Sequence, residues 1–142
     1  MSLGVDVEEF NRWMLMARRT LESARGDAER GDYNWACFKA HQASEFAVKA
    51  VLYGVGRPVS GLSITHLLSA LGGIVQVPGD VLDLGKFLDK FYVPTRYVDA
   101  WSEGVPYEYF TADDAEMAIK AAEVIIGFVE DLWRRLLGGV RS

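Results

Sequence analysis

Apolar residues recur every three or four positions along most of the chain, and few segments alternate with period two. Between residues 6 and 25, Phe10, Met14, Ala17, Leu21 and Ala24 mark one face of a helix. Asp6 is placed to cap it, and Glu8 and Glu9 sit in the first turn, where the helix dipole favours anions. Gly26 and Gly31 punctuate the stretch that follows. Asp32 then opens a second helix running to about Val55, closed by Gly54-Val55-Gly56-Arg57-Pro58. Residues 56–64 read as loop. A short helix starts at Thr65 and stops at Gly72-Gly73. Ile74-Val75-Gln76-Val77 has the composition of a strand but no partner, so it reads as loop. Asp80 caps a fourth helix over 81–92, with Leu84, Leu88 and Phe91 on one side, and Pro94 ends it.

Residues 93–110 form a long segment without periodicity, and such loops in small domains are usually functional or mobile. Thr111-Ala112-Asp113-Asp114 makes a capping-box-like start to a last helix reaching about Leu137, before Gly138-Gly139. In it Ala118, Ala122, Ile125, Val129, Leu132 and Leu136 face inward, and Glu116, Lys120, Glu123, Glu130 and Arg134 face out. No internal repeat or linker is visible. The pattern predicts an all-α, up-and-down bundle of four to five helices, formed by residues 1–142 as a single domain.

The second helix departs from simple amphipathicity. At about 100° per residue, Ala36, Ala40, Ala43, Ala47 and Ala50 fall on one narrow stripe, where another helix can approach closely. Trp35, Phe38, Phe46, Val48, Val51 and Leu52 make most of the remaining surface apolar, as in a helix buried on most sides. The exception is a polar stripe of His41, Gln42, Glu45 and Lys49, with Glu45 and Lys49 in the favourable i, i+4 order. A solvated face with an ordinary ion pair and a seam lining a groove or subunit interface both fit this spacing.

Composition narrows the classes. The chain has 142 residues, half of them apolar and a quarter charged, which suits one globular domain and excludes disorder and collagen-like repeats. A net charge of -5 argues against constitutive nucleic-acid binding through bulk charge, while leaving a local basic patch open. With Cys37 as the single cysteine, no intramolecular disulfide and no cysteine-based zinc site can form, and a reducing compartment is the natural setting. The first ten residues contain two glutamates, an aspartate and no apolar run, unlike a signal peptide. No stretch approaches the ~18 apolar residues of a membrane span. The expectation is a cytoplasmic protein without a membrane segment.

At the second helix the sequence resembles the HEPN domains (higher eukaryotes and prokaryotes nucleotide-binding). The stretch from Ala36 to Leu52 is similar to that family's pattern of a Phe or Tyr, a Gln-Ala, a Glu and a Lys-Ala-Leu/Val-Leu. Thr65-His66-Leu67-Leu68 resembles its short His-x-Leu helix start. Tyr92-Val93-Pro94-Thr95-Arg96-Tyr97-Val98-Asp99 resembles its Tyr-x-x-x-Arg-Tyr-Pro-Asp segment, with Val98 in place of proline. Asp114-Ala115 fits the opening of its final helix. The resemblance implies a four-helix bundle, often a homodimer. Such proteins of the small prokaryotic type are commonly partnered by a minimal nucleotidyltransferase, and no cofactor is implied. Some members are metal-independent, toxin-like ribonucleases with an Arg-x(4–6)-His motif assembled across the dimer.

That motif is absent here. The histidines are His41 and His66; the positions needing arginine hold Asn34, Trp35 and Ala36, or Val59, Ser60 and Gly61. After Arg96 the positions needing histidine hold Trp101, Ser102 and Glu103. The expected function is therefore a non-catalytic, dimeric binding module for nucleotide or a partner nucleotidyltransferase. A divergent ribonuclease is the second reading and a purely structural dimeric bundle the third. The candidate groove comprises His41, Gln42, Glu45, Lys49, Arg96, Tyr97 and Asp99. Within it, Lys49 either pairs with Glu45 or meets a phosphate, and Arg96 either pairs with a carboxylate such as Asp99 or meets a ligand. His66 reads as a capping or packing residue, and neither histidine as a metal ligand. Tyr97, Trp101, Tyr107, Tyr109 and Phe110 either stack on a base or pin the loop and make a subunit contact.

Overall fold

The computed structural model describes residues 4–141, and only the backbone of 139–141. Five helices account for most of it: α1 (Val7–Arg30), α2 (Tyr33–Gly54), α3 (Ile64–Leu71), α4 (Gly79–Asp89) and α5 (Ala112–Arg141). Two short 3-10 turns, Val98–Ala100 and Pro106–Tyr109, lie in the long segment before α5. No strand occurs among the described residues, and 74–77 is turn and loop. The fold is the expected all-α bundle, with α2 at its centre packed on all four other helices.

Local chemistry explains the helix ends. The Asp6 carboxylate accepts the Glu9 N–H at 3.0 Å and caps α1. Contrary to the expected end near residue 25, α1 passes through Gly26 and stops only at Gly31, whose φ of 84° is left-handed. The Asp32 N–H bonds the Asp27 carbonyl across that turn. An interior glycine costs a helix only about 1 kcal/mol, and here Arg30 lies over Gly26 while pairing with Asp27. Asp32 precedes α2 without capping it through its side chain. α4 starts before Asp80, at Gly79, and ends at Asp89, short of residue 92. The chain tightens there into i→i+3 turns ahead of Pro94, which disfavours helix at the residue before it. Thr111 and Asp114 form the expected reciprocal capping box on α5, with bonds of 3.1 and 2.9 Å. Contrary to the expected stop, Gly138 continues α5, without a positive φ, and the helix runs to Arg141.

The five alanines of the α2 stripe are fully buried, as are Met14, Ala17, Val48, Ile125 and Val129. Small side chains bring α1 and α5 close to α2. At Gly54 an added Cβ would lie 2.7 Å from the Trp133 ring, which stacks on Phe10 at 4.2 Å. Cys37 lies in this core, and burial, with a smaller contribution from Asp114, pushes its thiol pKa up to about 12. Salt bridges Arg18–Glu130 and Arg25–Glu123 tie α1 to α5 at the surface. No helix is long and apolar enough to cross a membrane among the described residues.

Candidate functional site

The polar stripe of α2 faces inward. His41 is 0 % exposed, Glu45 3 % and Lys49 8 %, while Gln42 is half-buried. Flanking aromatics and the α3–α4 arm cover what spacing alone left open. His41 places Nε2 3.1 Å from Asp89 Oδ1, and Nδ1 3.0 Å from the Gln42 side-chain amide. Asp89 ends α4 and serves as the hub of the region. Its carboxylate also accepts Ser63 Oγ–H, the Ile64 and Thr65 N–H groups and Thr65 Oγ1–H, at 2.6 to 3.0 Å. The free N–H groups at the start of α3 are thus capped from a different helix.

Burial alone would raise the Asp89 carboxyl, but hydrogen bonds from His41, Thr65 and Ile64 outweigh it and hold it well below the usual carboxylate range. An ionised carboxylate only accepts, so His41 Nε2–H is the donor.

One and two turns farther along α2, Lys49 Nζ donates to Glu45 Oε2 at 3.0 Å. Lys49 also sits 5.9 Å from the centre of the Trp13 ring on α1. Glu45 Oε1 is buried without a hydrogen-bond partner. The pair is thus desolvated, with one orphan acceptor.

Arg96 occupies the turn after α4. Its guanidinium lies against three rings, with its carbon 4.2, 4.5 and 4.7 Å from the centres of Phe38, Tyr92 and Tyr97. Nε and Nη2 donate to the Tyr92 carbonyl at 3.0 and 2.9 Å. No carboxylate pairs with it among the described residues; Asp99 is exposed and makes no such pair. The Nη1 donors and the second Nη2 hydrogen meet no acceptor among the described residues. Beneath, Asn34 Nδ2 donates to the Thr95 carbonyl at 3.0 Å and fixes the turn to α2. Tyr92 also packs on His41, with ring centres 5.3 Å apart. His41, Gln42, Arg96 and Tyr97 thus gather around Phe38 and Tyr92. Glu45 and Lys49 lie along the same helix, and Asp99 stands outside the cluster.

The loop aromatics divide. Trp101 stacks on Tyr109 at 3.9 Å, packs edge-on to Phe110 and donates Nε1–H to the Pro94 carbonyl, so these rings pin the segment. Tyr97 covers Arg96, and Tyr107 remains 58 % exposed. His66 is exposed; its backbone N–H, not its ring, takes part in the cap, donating to Ser63 Oγ. No metal-holding group of His, Cys, Asp or Glu occurs among the described residues. The roles of Asp89, Phe38 and Tyr92 were not assigned from sequence. Asp89 carries no local signal, since its partners lie on α2 and at the start of α3.

The bundle that carries these residues recurs in known proteins. The HEPN domain model matches residues 10–132. TT1696 from Thermus thermophilus is 41% identical over 87% of this chain and 97% of its own, with a TM-score of 0.84. ST0689, an archaeal HEPN homologue, is 40% identical over 88% of this chain and 98% of its own, with a TM-score of 0.75. A HEPN domain protein from Thermotoga maritima is 36% identical over 87% and 98%, with a TM-score of 0.73. No curated protein matched. With the family model covering most of the chain and the same bundle recurring in these relatives, the protein belongs to the HEPN domain family.

Proposed function

We propose that this HEPN domain is a non-catalytic, dimeric binding module of the cytoplasm, whose Arg96 cluster receives a phosphate of a nucleotide or an acidic group on a partner nucleotidyltransferase. The observation that carries the reading is the held but unpaired guanidinium of Arg96. Three rings and the Tyr92 carbonyl fix its plane, and the remaining N–H donors have no protein acceptor among the described residues. Such a pre-oriented fork suits bidentate recognition of phosphate or carboxylate. A ribonuclease reading finds less support. The one imidazole with an orienting carboxylate, His41, has no exposed surface, and the Arg-x(4–6)-His spacing is missing.

Calorimetric titration with nucleoside mono- and triphosphates tests the proposal, alongside affinity capture of a nucleotidyltransferase from the native host. Wild-type protein binds one of these stoichiometrically. Arg96→Gln and Arg96→Lys lose at least tenfold in affinity while melting within a few degrees of wild type. Binding unaffected by both changes removes Arg96 from the site. Metal-independent cleavage of single-stranded RNA that follows the protein through purification, and vanishes in His41→Ala, restores the enzyme reading.

A further inference from the structure

Gln42 touches both a buried hydrogen-bond chain and an open groove. Its side-chain amide lies 3.0 Å from His41 Nδ1. It also lines a groove of about 400 Å3 between α1 and α2, a size that suits a small ligand. Met16, Phe38 and Phe46 make most of that groove apolar. Phe38 is the ring whose centre lies 4.2 Å from the Arg96 guanidinium carbon, so the groove and the Arg96 site share a wall. Gln42 follows Phe38 by one helical turn, about 6 Å along α2, a span that a ribose can bridge between base and phosphate. Among the other polar groups of the groove, Lys39 is tied to Asp27 and Ser23, Thr20 donates to the Met16 carbonyl, and Arg19 is exposed.

The hydrogen-bond chain decides what Gln42 shows to the groove. The ionised Asp89 carboxylate only accepts, so it keeps a hydrogen on His41 Nε2. Nδ1 is therefore the nitrogen that gains or loses a proton, and Gln42 faces it. With a neutral ring, Nδ1 offers a lone pair and Gln42 must donate one N–H to it. The Gln42 carbonyl and second N–H are then left for the groove. That acceptor–donor pair matches the amino group and adjacent ring nitrogen of adenine. A keto base such as hypoxanthine sets acceptor against acceptor and donor against donor there. With a charged ring the amide must turn. Its carbonyl accepts from Nδ1–H, and two N–H donors are left for the groove, which suits the keto base. Few other groups bear on the ring. Tyr92 packs on it and itself meets Arg96, Ser63 and Thr65 of the α3 start bond Asp89, and Glu45 and Lys49 farther along α2 pair with each other. No charged group of α1 or α5 bonds it among the described residues.

We propose that the base of a nucleotide whose phosphate sits on Arg96 lies in this groove against Phe38 and Phe46, and that Gln42, oriented by His41, selects an amino base over its keto counterpart. This rests on the nucleotide reading above and adds where the base lies and which of its edges is read.

Adenosine and inosine monophosphate differ only at that edge. In calorimetric titration of the intact chain with His41 neutral, the adenosine form should bind about tenfold tighter or more. Gln42→Ala should abolish the difference and leave the affinity for inorganic pyrophosphate unchanged, whereas Arg96→Gln should weaken all three ligands. Nitrogen-15 NMR of the His41 ring in the free protein gives a second readout. Nε2 should stay protonated throughout, Nδ1 alone should titrate, and the preference for the adenosine form should fall as Nδ1 takes up its proton. Equal affinities in wild type, or a preference that survives Gln42→Ala, overturn the base subsite and leave the phosphate role of Arg96 standing. A neutral ring protonated on Nδ1, or a preference that ignores its protonation, overturns the part given to His41. Absence of binding to both nucleotides and to pyrophosphate overturns this proposal together with the nucleotide reading.

Discussion

Asp89 accepts five hydrogen bonds, two of them from the first N–H groups of α3, and its replacement tests what they hold together. Asp89→Asn keeps the shape but removes the charge toward which His41, Ser63, Thr65 and the first N–H groups of α3 converge. Hydrogen bonds to a charged group are worth about 1.5–3 kcal/mol, so a loss of ~2–3 kcal/mol in chemical denaturation is expected. The pH dependence follows from the direction of its shift. A carboxyl held below its ordinary value of 3.8 contributes fully above that pH and loses the contribution as pH falls toward the folded value. Wild type should therefore lose stability between about pH 5 and 2, more steeply than Asp89→Asn; equal slopes would mean that Asp89 is not the group responsible. The Glu45–Lys49 pair makes a second case. A surface pair would lose no more than ~1 kcal/mol on Lys49→Met. With both groups buried, the single change strands Glu45 and should cost ~3 kcal/mol, while Glu45→Leu with Lys49→Met should recover most of it. Urea titrations of the three variants separate these outcomes.

Helix–helix spacing has its own determinant at Gly54. A methyl group there meets Cη2 and Cζ3 at the end of the Trp133 indole, itself stacked on Phe10, so neither ring can swing aside without opening the core. Gly54→Ala should destabilise by about 1–3 kcal/mol, seen as a lowered midpoint with an unchanged denaturant slope. At this scale the sequence was most legible. The faces of α1 and α5 follow directly from period 3.6, and the alanine stripe of α2 is the buried seam. Boundaries were less so. Gly31 ends α1 with a positive φ and Gly72 ends α3 without one, while Gly26 and Gly138 continue their helices, and nothing local in the sequence distinguishes them.

For the molecule as a whole, family and architecture could be read from ordered short motifs, because each is tied to one helix and the helices pack in sequence order. The site was legible only in part. His41, Gln42, Arg96 and Tyr97 belong to one cluster, but the rings that hold Arg96 come from α2 and from the end of α4, and no periodicity encodes that meeting. Asp99 beside Arg96 in sequence suggests a pair that the turn geometry does not make. The chemistry of Cys37 gives the whole bundle a clock. With no exposed atoms and a thiol pKa pushed up to about 12, it is closed to alkylating reagents until the core opens. Its labelling rate in native buffer then counts global opening events, without denaturant and without an added probe. Trace labelling followed by mass spectrometry should slow with each stabilising ligand and quicken in Gly54→Ala. Rapid alkylation of the undisturbed protein would mean that the N-terminal turns of α2 breathe independently of the rest.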